Sequence, residues 1–307
     1  MKEIVLRTKQ LTKIYNTKPA VDKVNMYLKK GEIYGLVGKN GAGKTTLIRM
    51  VTGLANIHSG EIELFGKTHI DDMHKERMRT GVVIETPAFY PYLSARKNLE
   101  YYRIQRGIAG KECIDEVLQY VGLEDVGNKK FKEFSLGMKR RLGLALAIMG
   151  SPDLLILDEP TNGLDPEGIV KFREILQKLN RERGTTILIS SHILGELSKF
   201  ATCYGFMKEG KLIEEITARD LEERCKHHLL LKVDDPERAS VLLEEELDCH
   251  EYEIHPGNEL KVFAYLDRPE IITKILVTGG ILVSDIRTVG TSLEQYFMEL
   301  MGGDYYA

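Results

Sequence analysis

Cysteine is scarce in this chain, and what there is lies scattered. Cys113, Cys203, Cys225 and Cys249 show no CxxC or Cys/His ligand spacing. That pattern argues against a structural zinc site or a disulfide framework and for reduced thiols. Long apolar runs are also missing. Stretches such as Leu142 to Met149 fall well short of the ~20 residues that a membrane span needs, so in any membrane process another chain must do the crossing. Neither sign of charge dominates, with 43 Lys and Arg against 46 Asp and Glu. The balance exerts no global pull toward nucleic acid or anionic lipid. The opening residues, Met1 to Arg7, carry charges on both sides of a very short apolar run, and no signal peptide is expected from them. Repeats and low-complexity segments are absent, and a hydrophobic fraction of 43% with 29% charged residues fits a folded globular chain.

At 307 residues the chain exceeds a usual single domain, so one large and one small domain are expected. The first two-thirds read as strands alternating with helices. Ile33 to Val37 is a short apolar run that leads into a glycine-rich loop and then a helical stretch from Thr46 to Val51. Gly81 to Ile84, Leu154 to Leu157 and Thr186 to Ile189 are further apolar runs of strand length, of the kind found in a parallel sheet covered on both faces. Residues 95–150 carry mostly helical patterning; Ile114, Val117, Leu118 and Val121 have the spacing of one buried helix face. After Thr217 the character changes. Strands are predicted over 229–233, 250–255, 260–266 and 281–286, with helices over 236–247 and 269–277. That βαββαβ order predicts a small ferredoxin-like α+β module. Thr291 to Glu294 form a capping-box pattern ahead of an amphipathic helix over 293–300.

The chemistry concentrates in two motifs. Gly38-Lys39-Asn40-Gly41-Ala42-Gly43-Lys44-Thr45 fits G-x-x-x-x-G-K-[ST] between a strand and a helix, the context in which the pattern carries meaning. Glycines let successive N–H groups converge on phosphate oxygens, and the following helix points its positive end there. Lys44 can reach the β- and γ-phosphates, and the Thr45 hydroxyl can ligate magnesium. The second motif is the apolar strand that ends in Asp158-Glu159, placing two carboxylates where open α/β sheets bind ligands. Asp158 suits a magnesium ion held through water, and Glu159 suits orientation and deprotonation of an attacking water. Alone, an acidic pair here would more often be a solvated strand end; with the phosphate loop it indicates nucleotide hydrolysis.

What surrounds these motifs resembles the ATPases of ABC transporters. Asp158 to Pro166 looks like their joined Walker B motif and D-loop. Phe134 to Arg141 resembles their signature, Ser190-Ser191-His192 their switch histidine segment, and Tyr15 their base-stacking aromatic. The resemblance runs from about residue 3 to residue 215. It implies an α/β P-loop NTPase domain over 1–216, with a helical subdomain about 90–150; the ferredoxin-like module read from the patterning then forms an accessory domain over 217–307. It further implies that Tyr15 stacks on adenine, that Gly38 to Thr46 (Thr46 included) hold the triphosphate, and that Glu159 is the general base with His192 contacting the γ-phosphate. Ser135 and Gly137 would contact ATP bound to the opposite subunit, and Asp165 would link the two sites. The implied ligands are ATP and Mg2+; the implied partners are a second copy and a separate transmembrane permease at the cytoplasmic face of the membrane, with no nucleic acid.

Two departures stand out. Leu136 and Met138 replace a glycine and the glutamine of the family's Leu-Ser-Gly-Gly-Gln signature. Glu85 stands where a glutamine is usual, and a carboxylate there can still coordinate magnesium. Glu85, the Ser-Leu-Gly-Met-Lys run and the Ser292 to Phe297 ending resemble bacitracin- and lantibiotic-type exporters, which implies export in peptide-antibiotic resistance or immunity. The rival readings are a soluble ABC ATPase acting on ribosomes or nucleic acid, and a binding module with weak catalysis. The first is opposed by a single cassette without a coiled-coil insertion, the second by the full set of other catalytic groups.

Overall fold

Three strands are buried along their whole length: Ile33–Val37, Leu154–Asp158 and Thr186–Ser191. Such strands can only sit inside a sheet covered on both faces, and each Leu or Ile buried there contributes about 1.5–3 kcal/mol. In the computed structural model, which describes residues 3–84 and 88–302, they lie in a six-stranded sheet. Its order is Thr80–Ile84, Leu154–Asp158, Thr186–Ser191, Ile33–Val37, Cys203–Lys208 and Lys211–Thr217. All neighbours are parallel except the last pair. The register sets Val37 beside Ser191 and Leu157 beside Ile189. The C-terminal ends of the three central strands therefore share one edge, where open α/β sheets place their ligands.

Strict alternation of strand and helix does not hold at the start of the chain. Ile4–Tyr15 and Lys18–Lys29 pair antiparallel and, with Ser59–Leu64, form a separate three-stranded sheet. Several register shifts interrupt these ladders, which breaks the period-2 pattern that would announce the strands in sequence. The helix Lys44–Val51 buries Leu47, Ile48, Met50 and Val51 in the same core as Leu6, Leu28, Leu36 and Ile156. The helical stretch comprises Ala95–Gln105, Glu112–Tyr120 and Leu136–Ile148, and the Ile114, Val117, Leu118 and Val121 stripe is buried as its spacing predicts.

The chain divides into two units, Met1–Ala218 and Arg219–Ala307. In the second, a four-stranded antiparallel sheet runs in the order Tyr252–His255, Glu259–Val262, His228–Val233, Val283–Val289. Helices Pro236–Leu247 and Pro269–Thr278 fall between the strands, in the order read from the sequence. Some strand ends differ from expectation for local reasons. The strand expected to reach Leu266 stops at Val262, and Tyr265 takes a left-handed backbone (φ 58). Ile281 closes a helix end through its N–H to Leu276 O instead of opening the last strand. The final helix, Leu293–Leu300, is capped one residue later than the pattern Thr291 to Glu294 suggested. Ser292 Oγ accepts from Gln295 N (3.1 Å), and Gln295 Oε1 accepts from Ser292 N (2.9 Å). Among the described residues no helix is long and apolar enough to cross a membrane.

Candidate active site

The phosphate-loop motif wraps the gap between the strand Ile33–Val37 and the helix Lys44–Val51. Glycine is required at two of its positions by contact. A Cβ on Gly38 would lie 2.5 Å from Met207 O, and one on Gly43, whose φ is 104, would lie 2.4 Å from Ala20 O. The cleft above the loop is lined by Ala20, residues 40–46, Glu159 and Asn162. It thus faces the N-terminus of a helix whose first N–H groups have no partner within the helix, a setting that favours anions.

Lys44 is only 5% exposed. Its Nζ donates to Gly38 O (2.6 Å) and Lys39 O (3.3 Å) and pairs with Glu159 Oε1 at 3.0 Å. Thr45 Oγ1 donates to Asp158 Oδ2 (2.8 Å), so the loop hydroxyl and the strand-end carboxylate stand side by side. The other Asp158 oxygen accepts from Ser190 Oγ (2.7 Å), and Ser190 Oγ in turn accepts from Glu159 N (2.9 Å). This clasp follows directly from the strand register, and it sets the peptide at Glu159, which has a left-handed φ of 46. The strained backbone aims the carboxylate at the cleft, where Oε2 lies 2.8 Å from His192 Nδ1. Burial pushes the Glu159 carboxyl up, but hydrogen bonds from His192 and Lys44 outweigh it and hold the group below the usual carboxylate range. Glu159 is therefore an ionised acceptor between two nitrogen groups, the Lys44 ammonium and the His192 ring. Thr161 Oγ1 ties the following loop to Glu196 Oε2 at 2.8 Å.

The remaining sequence-predicted residues lie outside the cleft lining. Tyr15 ends its strand with 49% of its surface exposed. Ser135 is the N-cap of Leu136–Ile148, and its Oγ accepts from Met138 N at 3.3 Å. Gly137 is uncrowded: a Cβ there would meet nothing nearer than Leu164 Cδ2 at 3.9 Å. Nothing among the described residues thus demands a glycine there. Leu136 packs toward Gly163, with Cδ2 3.0 Å from where a Cβ on Gly163 would stand. Asp165 caps the helix Pro166–Arg183 by accepting from Gly168 N (3.1 Å). Glu85 lies outside the described residues. Sequence reading gave no role to Ala20, Asn162 or Ser190. For Ser190 the available signal was a hydroxyl ending an apolar strand next to the one that carries Asp158.

Comparison with known proteins supplies the family. The sequence profile of the family described as ABC transporter matches residues 21–162. The chain is 44% identical to the bacitracin transport ATP-binding protein BcrA of Bacillus licheniformis, over 97% of this chain and 98% of that protein. It is 41% identical to the lantibiotic transport ATP-binding protein SrtF of Streptococcus pyogenes, over 74% of this chain and 99% of that one. The dimeric structure of the ATP-binding cassette MJ0796 in a post-hydrolysis state, bound to ADP and Pi, superposes with a TM-score of 0.63 at 26% identity, covering 70% of this chain and 99% of that chain. Full-length identity at this level, together with the phosphate loop and its paired carboxylates, identifies the chain as a member of the ABC transporter ATP-binding subunits, an ATPase.

Proposed function

We propose that this subunit drives export of a peptide antibiotic or a similar amphiphilic compound, in resistance or immunity, from the cytoplasmic face of the membrane. The observation that carries the catalytic part is the continuous polar chain from Thr45 through Asp158 and Ser190 to Glu159, with Lys44 and His192 on either side of the base. The names of the bacitracin and lantibiotic relatives support the export part.

The proposed roles combine the geometry of the cleft with the family resemblance. The loop from Gly38 to Thr46 cradles the triphosphate, and Tyr15 stacks on the base. Lys44 exchanges its loop carbonyls and Glu159 for phosphate oxygens. That exchange removes one cation from Glu159, raises its basicity and readies it to take a proton from the attacking water. His192 orients Glu159 and then the γ-phosphate. Thr45 and Asp158 present two hard oxygen donors 2.8 Å apart. A hydroxyl and a carboxylate suit Mg2+, an ion that keeps waters and phosphate oxygens in its shell. Glu85 is assigned to the same ion from sequence alone. When bound, the metal supplies neutralisation of phosphate charge. Ser135 and Gly137 of a second copy close the site, with Asp165 linking the two halves; ATP binding favours the closed dimer by adding contacts absent from the open one. A separate permease carries the substrate path.

The test is expression of the chain with its membrane partner in a sensitive bacterium. Resistance to bacitracin-like peptides that disappears with Lys44→Ala is expected. Unchanged sensitivity, alongside intact ATP hydrolysis, would remove the antibiotic reading while leaving the ATPase.

A further inference from the structure

The hairpin that carries Tyr15 returns directly to the phosphate loop. Its two central residues, Asn16 and Thr17, are both left-handed (φ 45 and 71), the conformation of a two-residue hairpin turn whose twist suits the strands. The turn pairs Tyr15 with Lys18 and Ile14 with Pro19. The next residue, Ala20, lines the cleft and crowds Gly43. Tyr15 therefore hangs from a hairpin held against the nucleotide cleft.

Two residues before it, Lys13 is 9% exposed. Its Nζ donates to Asn56 O at 2.7 Å and sits 5.0 Å from the centroid of the Tyr15 ring. Among the described residues no carboxylate pairs with it. Burying a cation costs free energy unless it is well compensated, and here the visible compensation is one carbonyl and one aromatic face. An apolar side chain would fill the same place more cheaply, so the cation needs a reason. Asn56 lies in the loop after the phosphate-loop helix, so the hydrogen bond ties the ammonium, and through it the ring, to the element that positions the phosphates.

We propose that Lys13 is a positioning residue for the nucleotide base. Its ammonium covers one face of Tyr15, fixes the ring plane and leaves the other face for a purine. A cation on one face also draws electron density from the opposite one, which favours stacking with an electron-rich adenine. The inference rests on the base-stacking role given to Tyr15 above.

Titration calorimetry with the purified chain separates the two. Wild type, Lys13→Met, Lys13→Gln, Tyr15→Ala and the Lys13→Met/Tyr15→Ala double variant are each titrated with ATP and with CTP. Gln keeps an N–H donor without the charge, so a folded neutral variant is at hand even where Met disturbs folding. The neutral variants are expected to weaken ATP binding about two- to fivefold, the range of a solvent-exposed cation–π contact, with CTP binding nearly unchanged. The double variant should bind ATP no more weakly than Tyr15→Ala alone. If Tyr15→Ala lowers the preference for ATP while the neutral Lys13 variants leave it intact, or lower both affinities equally, the role of Lys13 is overturned. If Tyr15→Ala leaves the preference intact, base stacking itself fails, and this inference with it.

Discussion

The two units build their sheets on different terms. In the first, the central strands are buried from end to end, so polar side chains are driven to the strand termini; Asp158, Ser190 and Ser191 are all buried at one edge. In the second, the two inner strands, Glu259–Val262 and His228–Val233, bury alternate residues, and the two outer strands bury none fully. Leu229, Leu231 and Val233 face the core while Lys232 is exposed. Its charged residues spread over the open face in cross-strand pairs, Glu253 opposite Lys261 and Lys232 opposite Glu259 and Asp285. A doubly covered sheet gathers chemistry at an edge, and a singly covered one disperses it. The SrtF match covers 99% of that protein but 74% of this chain. A lantibiotic transport ATP-binding protein thus lacks a counterpart for about a quarter of these residues.

Substitutions on the two sides should therefore separate cleanly. The largest effect is expected for Lys44→Ala, which removes the ammonium shared by the loop and Glu159; ATPase assays should read only background. Glu159→Gln comes next. Losing a general base lowers turnover by about 10²–10⁴-fold, while ATP affinity measured by equilibrium binding stays near that of wild type. In the second unit, Leu231→Ala leaves a cavity under a fully buried side chain. It should lower that unit's stability by about 2–5 kcal/mol in denaturant unfolding, with no change in the affinity for ATP. Smallest of all is the expected effect of removing residues 219–307 on ATP binding, namely none. Loss of ATP binding in either of the last two cases would break the division.

Much of this was legible in the sequence because the chemistry depends on local order. Gly38 to Thr45 and the strand ending in Asp158-Glu159 announce themselves by residue type and spacing, and fully apolar runs marked the buried strands. What stayed hidden depended on pairing. The antiparallel pair Ile4–Tyr15 and Lys18–Lys29 has its alternation interrupted by register shifts, so neither strand has a clean period. Ser190 gains its role only because the register brings the strand Thr186–Ser191 alongside Leu154–Asp158. Asn162 reaches the cleft from a turn whose course no periodicity specifies. In the second unit the elements were readable, but their ends were set by Tyr265 and Ile281, single-residue backbone choices beneath the resolution of a hydrophobic pattern.

We propose above that ATP held at Lys44 and Glu159 is enclosed by Ser135 and Gly137 of a second copy. Sedimentation velocity on Glu159→Gln with and without saturating ATP and Mg2+ tests it most directly. A monomer is expected without nucleotide and a stable dimer with it, the dimer being lost when Ser135 is replaced by a bulky residue. A variant that binds ATP tightly yet sediments as a monomer would contradict it.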